Sequence, residues 1–361
     1  MENFGNSYKG KRVLVTGHTG FKGSWLTIWL LELGAEVIGY ALDPYTEKDN
    51  FVLSKLSEKI IDIRGDIRDR TKLHEVFETY KPEMVFHLAA QPLVKLSYSQ
   101  PVETYDVNVM GTIYVLEEIR ACAETKIGIM ITTDKCYENR EHLWGYRETD
   151  AFGGYDPYSS SKGACEIAIN SWRSSYFNPK EFEKHGKAIA SVRAGNVIGG
   201  GDWALDRIIP DCIKAIEAGK KIEIRSPKAV RPWEHVLEPL SGYLLLGQKL
   251  MQEPVKYAEG WNFGPEVEEV YTVWDMAERL IKDIGRGELV DSSQGEKLHE
   301  ANLLLLDITK AKLKLGWKPR LNIDETIEFV SKWYREYFKR DVYELCVEQI
   351  KKYCERINET N

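Results

Sequence analysis

The chain begins its first clear element with a β-branched run, Arg12-Val13-Leu14-Val15-Thr16, which stops at Gly17 and gives way to an apolar helical pattern through Leu33. Between them lies Gly17-His18-Thr19-Gly20-Phe21-Lys22-Gly23, with two residues between successive glycines. Small residues at a strand-to-helix junction let a backbone approach a pyrophosphate, and the helix N-terminus offers it free N–H groups. The segment therefore predicts a dinucleotide site made of Gly17, Thr19, Gly20, Phe21, Lys22 and Gly23. The competing reading is a plain tight turn that packs a helix on a sheet.

Further strands are expected at Glu36 to Tyr40, Ile60 to Arg64, Met84 to Leu88, Ile127 to Thr132 and Ala188 to Arg193. Helices are expected between them, at Leu73 to Tyr80, Val107 to Glu124 and about Tyr158 to Tyr176. This alternation argues an α/β fold, a Rossmann-type doubly wound parallel sheet. Beyond Asn196 the elements shorten and prolines interrupt them, which predicts a smaller C-terminal α/β substrate-binding domain. The expected division is 1–195 and 196–361, interleaved near 230–270. No repeat, low-complexity tract or Gly/Ser linker separates the parts.

At 361 residues, the chain is long enough for such an arrangement. A net charge of −7 with dispersed Lys and Arg excludes a broad nucleic-acid surface, so any phosphate is held locally. Cys122, Cys136, Cys165, Cys212, Cys346 and Cys354 form no zinc-type spacing, and reduced thiols in the cytoplasm are expected, with no metal. Trp25 to Gly39 is too short and too charged to span a bilayer, and Met1 to Gly10 has no apolar signal core.

An acid about twenty residues past the last glycine usually meets the adenosine ribose and disfavours a 2′-phosphate, selecting NAD. Asp43 lies there, and equally suits a turn before Pro44. Asp66 and Ile67 end a further strand and are candidates to meet the cofactor, with a helix cap as the alternative for Asp66. Leu88, Ala89, Ala90 and Gln91 end the fourth strand with residues small enough for a backbone to lie against a cofactor. Tyr158 and Lys162 stand one turn apart on one helix face. An ammonium beside a phenol, aided by a positive nicotinamide, is expected to lower the phenol pKa from about 10 so that tyrosinate serves as a base.

The segments TGHTGFKG, TTDKCY, YDPYSSSK, RAGNVIGGGD and RPWEHV follow one another as in extended short-chain dehydrogenase/reductases, which the chain resembles over most of its length. The resemblance implies that Thr133 hydrogen-bonds the reacting sugar oxygen beside Tyr158 and that Asn108 is the family's helix asparagine. It also implies that Asn196 and Arg231 meet a substrate diphosphate, with Arg193, Arg207 and His235 as weaker substrate candidates. After Thr133 comes Asp134-Lys135, where simple epimerases and reductases need no extra acid/base pair and 4,6-dehydratases carry one. The pair is similar to that of dehydratases acting on CDP-glucose, with Lys135 removing the C5 proton and Asp134 protonating the departing C6 hydroxyl. Lys22 and the long loop from GYRETD to YDPYS point the same way. The alternatives are a dehydratase of UDP-N-acetylhexosamines and a non-catalytic NAD(H)-binding regulatory protein. A homodimer joined through Val107–Glu124 and Tyr158–Tyr176 is implied as well, in a pathway to deoxysugars of surface polysaccharide. The charged final helix, Asp341 to Asn358, is left as a cap, a tail or an oligomer contact.

Overall fold

The computed structural model describes residues 4–266, 271–293 and 303–358. Seven parallel strands form the central sheet: β1 (Arg12–Thr16), β2 (Glu36–Ala41), β3 (Ile61–Arg64), β4 (Met84–His87), β5 (Ile127–Ile131), β6 (Ala188–Ala194) and β7 (Gly260–Phe263). Their order is β7-β6-β5-β4-β1-β2-β3, so the direction of winding reverses beside β1. Thr16 aligns with His87 on one side and Tyr40 on the other, bringing the carboxyl ends of β1, β2 and β4 level. In open α/β sheets the crevice for ligands lies at this reversal.

Helix α1 (Phe21–Glu32) is apolar on every side, and Trp25, Leu26, Ile28, Trp29 and Leu30 are all buried. A helix without a polar face must be covered on both sides. One side lies on the sheet, and the other receives the final helix, Val342–Asn358, through Trp29 against Tyr353 and a 2.9 Å bond from Tyr343 to Glu32. The charged C-terminal segment is thus an intramolecular cap. The opposite sheet face is covered by α2 (Arg70–Tyr80), α3 (Gly111–Ala121) and α4 (Pro157–Ser175).

The expected helix from Val107 starts instead as a wide π turn, Asp106–Met110, that runs into α3. Such insertions re-aim side chains, and this one turns Asn108 inward. Helix α4 starts where Asp156 accepts the Ser159 N–H at 2.9 Å and Pro157 fills the first helical position. Tyr158 is thereby fixed in the first turn. After Asn196 the chain builds small two-stranded pairings, and then returns to the main sheet when Gly260–Phe263 pairs in parallel with β6.

Candidate active site

A cavity of about 2240 Å³ lies along the carboxyl ends of the strands. An ordinary small-ligand pocket holds roughly 300–1,000 Å³, so this one has room for two sizeable molecules. Gly17, Thr19, Gly20, Phe21, Lys22 and Gly23 line one end. Gly17 has φ +76°, and a Cβ there would lie 2.7 Å from the Ala89 nitrogen. A Cβ on Gly23 would lie 2.1 Å from the Gly17 oxygen. The turn therefore closes only with glycine at both positions. Gly20 caps α1 without any side-chain hydrogen bond, which leaves the N–H groups of the first turn for a ligand. Thr19 turns its hydroxyl away, donating to Leu42 O at 3.0 Å and tying the turn to the end of β2.

Asp66, Ile67 and the Leu88–Gln91 segment line the same end. The Asp66 carboxylate is already engaged by the Arg68 guanidinium, at 2.6 and 3.0 Å, which holds it below its ordinary pKa. Asp43 is a different case. Its side chain is 87% exposed, lies 3.6 Å from Arg64 and is outside the cavity lining. Asn108 is also outside the lining, and serves it indirectly: its Oδ1 accepts the Gln91 N–H at 2.8 Å, and its amide donates to Gln91 O and Ser161 Oγ.

In the middle of the cavity, the segment just after β5 carries Thr133, Asp134 and Lys135, opposite Tyr158 and Lys162 of α4. Thr133 Oγ donates to Asp134 Oδ1 at 2.8 Å, and the Lys135 N–H approaches the same hydroxyl at 3.4 Å. Asp134 is 1% exposed and its Oδ2 has no partner. Burial pushes the Tyr158 phenol above its ordinary pKa, and this outweighs the lowering by a hydrogen bond from Thr133 and by the Arg207 charge. The lowering expected from Lys162 together with a bound nicotinamide concerns the cofactor-bound site, and without the cofactor burial prevails. Burial also lowers the Lys162 amine, because desolvation penalises the charged form of each group in its own direction.

At the far end Asn196, Arg207 and Arg231 line the cavity. Arg207 is held by Asp202 at 2.8 Å, and Arg231 is buried, with Nη1 donating to Val230 O at 2.8 Å.

The GDP-mannose 4,6 dehydratase family model matches residues 14–330. The chain belongs to this family. A CDP-glucose 4,6-dehydratase of Salmonella typhimurium is 50% identical over 343 residues, covering 94% of this chain and 95% of the relative. The human dTDP-D-glucose 4,6-dehydratase is 27% identical, with 91% of each chain covered. Among solved structures, the dTDP-glucose 4,6-dehydratase of Bacillus anthracis in complex with NAD superposes with a TM-score of 0.73 at 20% identity, over 91% of this chain and 97% of that one. The UDP-glucose 4-epimerase of Thermotoga maritima, with UDP-glucose, gives 0.75 at 23%, over 91% and 100%. The fold is therefore that of the epimerases and 4,6-dehydratases.

Within this dehydratase family member, two substrate candidates fall away. Ser191 and Arg193 share one face of β6 because strand side chains alternate, and both reach Glu166 of α4. Arg193 is 2% exposed and bonds Glu166 at 2.8 and 2.6 Å and the Tyr137 hydroxyl at 2.7 Å. Its charge is consumed inside the protein. His235 is fully buried against Trp25 and Phe329, and burial lowers its pKa to about 3. It is a neutral core side chain.

Glu234 was not singled out by the sequence. It lies between Trp233, which lines the cavity, and His235, and its buried carboxylate has no side-chain hydrogen-bond partner, only the Gly195 backbone beside it. Burial, with Glu238 and Asp134 nearby, raises its pKa well above the usual carboxylate range, and Lys22 opposes the shift. The Lys22 amine is lowered by burial to about 8, with Glu234 the leading opposing charge. The only sequence signal was a carboxylate inside the RPWEHV segment, directly after Trp233.

Proposed function

We propose that this chain converts CDP-glucose to CDP-4-keto-6-deoxyglucose, an NAD-dependent lyase reaction with an internal redox cycle. The observation that carries the reading is the Asp134-Lys135 pair beside Thr133, Tyr158 and Lys162, with a buried and unpartnered Asp134 Oδ2. An epimerase or simple reductase has no use for an acid poised there. The 50% identity to a CDP-glucose 4,6-dehydratase supports the cytidine part of the assignment.

The cofactor end fits NAD: the glycine turn excludes Cβ atoms, and uncapped N–H groups face outward from α1. Gly17, Gly20, Phe21, Lys22, Gly23, Asp66, Ile67 and Leu88–Gln91 would surround it. When bound, NAD supplies a hydride acceptor and then a hydride donor at the sugar. Tyr158, whose phenol burial holds up, would be brought down by a positive nicotinamide bound beside it.

Tyr158 then takes the proton of the sugar 4-hydroxyl, which Thr133 orients. Oxidation at C4 acidifies the C5 hydrogen, Lys135 removes it, and Asp134 protonates the hydroxyl leaving C6. Arg231 and Asn196 receive the diphosphate, with Arg207 beside them, since a guanidinium matches two phosphate oxygens at once. We infer the same division at 195/196 into a cofactor part and a substrate part, with β7 as the strand where they interleave. A homodimer through the outer faces of α3 and α4 and a cytoplasmic location complete the proposal. Partly or fully exposed Met110, Ile167 and Tyr176 on or beside those helices, and six buried free cysteines, support them.

The test is incubation of purified protein with CDP-, UDP-, dTDP- and GDP-sugars, with and without added NAD, followed by the alkali-induced absorbance of a 4-keto product. CDP-glucose should give product. Product from a UDP-N-acetylhexosamine alone would transfer the assignment to that substrate, and no product from any sugar would overturn it.

A further inference from the structure

Thr16, His87 and Thr112 lie outside the cavity lining, as buried polar side chains at the ends of β1 and β4 and in the first turn of α3. They form one chain of hydrogen bonds whose direction is fixed from its ends. The Thr112 hydroxyl donates to Asn108 O at 2.7 Å, so its oxygen is left to accept from His87 Nε2 at 3.1 Å. His87 therefore carries its proton on Nε2. Nδ1 of the neutral ring accepts from the Thr16 hydroxyl at 2.8 Å, and the Thr16 oxygen in turn accepts the Ala89 N–H at 3.2 Å. Burial, with the Lys162 charge adding to it, lowers the imidazole to about 3 and keeps the ring neutral, as the chain requires.

Both ends of the chain reach the site. Ala89 belongs to Leu88–Gln91, which lines the cofactor end of the cavity. Asn108 returns to the same segment, since its Oδ1 accepts the Gln91 N–H at 2.8 Å and its amide donates to Gln91 O at 3.2 Å. The amide also donates to Ser161 Oγ at 2.9 Å, and the Ser161 hydroxyl donates to Tyr158 O at 2.7 Å. The backbone at the cofactor end and the backbone of Tyr158 are thus fastened to each other by side chains that lie behind the cavity wall.

We propose that His87 is a positioning residue for the hydride step: as the neutral Nε2–H tautomer it joins Thr16 to Thr112, fixing the Leu88–Gln91 backbone against the first turn of α4. The proposal rests on the cofactor and base roles given above, because these two segments would hold the nicotinamide and the sugar. A neutral imidazole suits the task, with one nitrogen donating and the other accepting across a rigid ring. A misplacement of about 1 Å between reacting groups costs roughly 100-fold in rate, so a brace outside the cavity acts on the chemistry.

The experiment uses the full chain with NAD and with CDP-glucose carrying hydrogen or deuterium at C4. Thr16→Val, Thr112→Val and the double variant remove hydroxyls while keeping the threonine outline, and Thr16→Ser and Thr112→Ser retain them. Each valine variant should lower kcat by roughly 10- to 100-fold and raise the C4 deuterium isotope effect, with little change in the KM for CDP-glucose. The double variant should lose no more than the worse single one, because one break already opens the chain. Both serine variants should retain most of the rate, and nitrogen NMR of the unmodified protein should show His87 neutral with its proton on Nε2 at pH 7.

A merely structural chain predicts a lower urea midpoint with kcat and isotope effect unchanged in the folded protein, and that result would overturn the proposal. So would a double variant that loses the product of the two single effects, serine variants as slow as the valine ones, or a ring protonated on Nδ1. Should Thr16→Val not fold, Thr112→Val and Thr112→Ala break the same chain within a helix, with the same readings expected. Failure of the dehydratase reading is distinct, because the unmodified protein would then make no product from any sugar.

Discussion

Helix α4 carries two buried polar clusters one turn apart. Glu166 accepts from Thr132 and Arg193 on one oxygen and from Ser191 and Arg193 on the other, so the carboxylate is saturated. Its pKa is pulled below the ordinary range by Arg193 and these hydrogen bonds, although burial alone would raise it. Around Lys162, one turn earlier, satisfaction is incomplete. Asp134 Oδ2 has no hydrogen-bond partner, the Glu234 carboxylate has none from a side chain, and burial moves Tyr158, Lys162, Lys22 and Glu234 toward their neutral forms. Buried polar groups in proteins are almost always paired. The saturated cluster holds α4 to the sheet, and the unsaturated one lies at the proposed active site.

The contrast is tested most severely by Glu166→Ala, which leaves Arg193 buried without its counter-charge. Stability in a urea titration should fall by about 3–5 kcal/mol. A loss under about 1 kcal/mol would mean that the pair is not what fixes α4. Lys135→Ala probes the other cluster, and there the damage should be chemical: dehydration slower by at least about 100-fold, the urea midpoint nearly unchanged and enzyme-bound reduced nicotinamide still formed. Normal dehydration by this variant would remove Lys135 from its assigned role. Arg231→Ala should raise the KM for the nucleotide sugar by roughly 10- to 100-fold, the worth of a charge-assisted hydrogen bond, with a smaller change in kcat. Arg193→Ala should instead lose folded protein, which separates the two arginines by phenotype.

The smallest effect concerns pH. His235 has a folded-state pKa of about 3, below its ordinary 6.5. Between those values the unfolded chain binds the extra proton, so its contribution to stability is intact above pH 6.5 and is lost as pH falls toward 3. His87, also lowered to about 3 by burial, behaves alike. His235→Phe, set between Trp25 and Phe329, should make the acid limb of the stability curve shallower by up to one proton, measured as urea midpoints across pH 3–7. An unchanged limb would show that His235 is not buried neutral.

Much of this architecture was legible because it is local. The strand, glycine turn and helix from Arg12 to Leu33 depend on neighbours in sequence, and so does the helix start at Asp156-Pro157 that fixes Tyr158 and Lys162 one turn apart. Asp134 and Lys135 likewise follow Thr133 directly at the end of β5. Arg193 and Arg231 show where such reading stops. Each sits in a motif-like segment with a basic side chain, and nothing in either segment says which face of its strand meets the cavity.

By itself, then, the sequence determined the winding of the sheet and the glycine turn, and it supplied the reacting groups proposed here, all through spacing and side-chain chemistry. Tertiary structure decided which charges remain available. Glu166 lies 27 residues from Arg193, on a different element. Arg193 is cancelled because two elements pack face to face, and Glu234 meets the Lys22 charge but no side-chain hydrogen bond for the same kind of reason. Charge pairing depends on distances across the fold, which no local pattern carries.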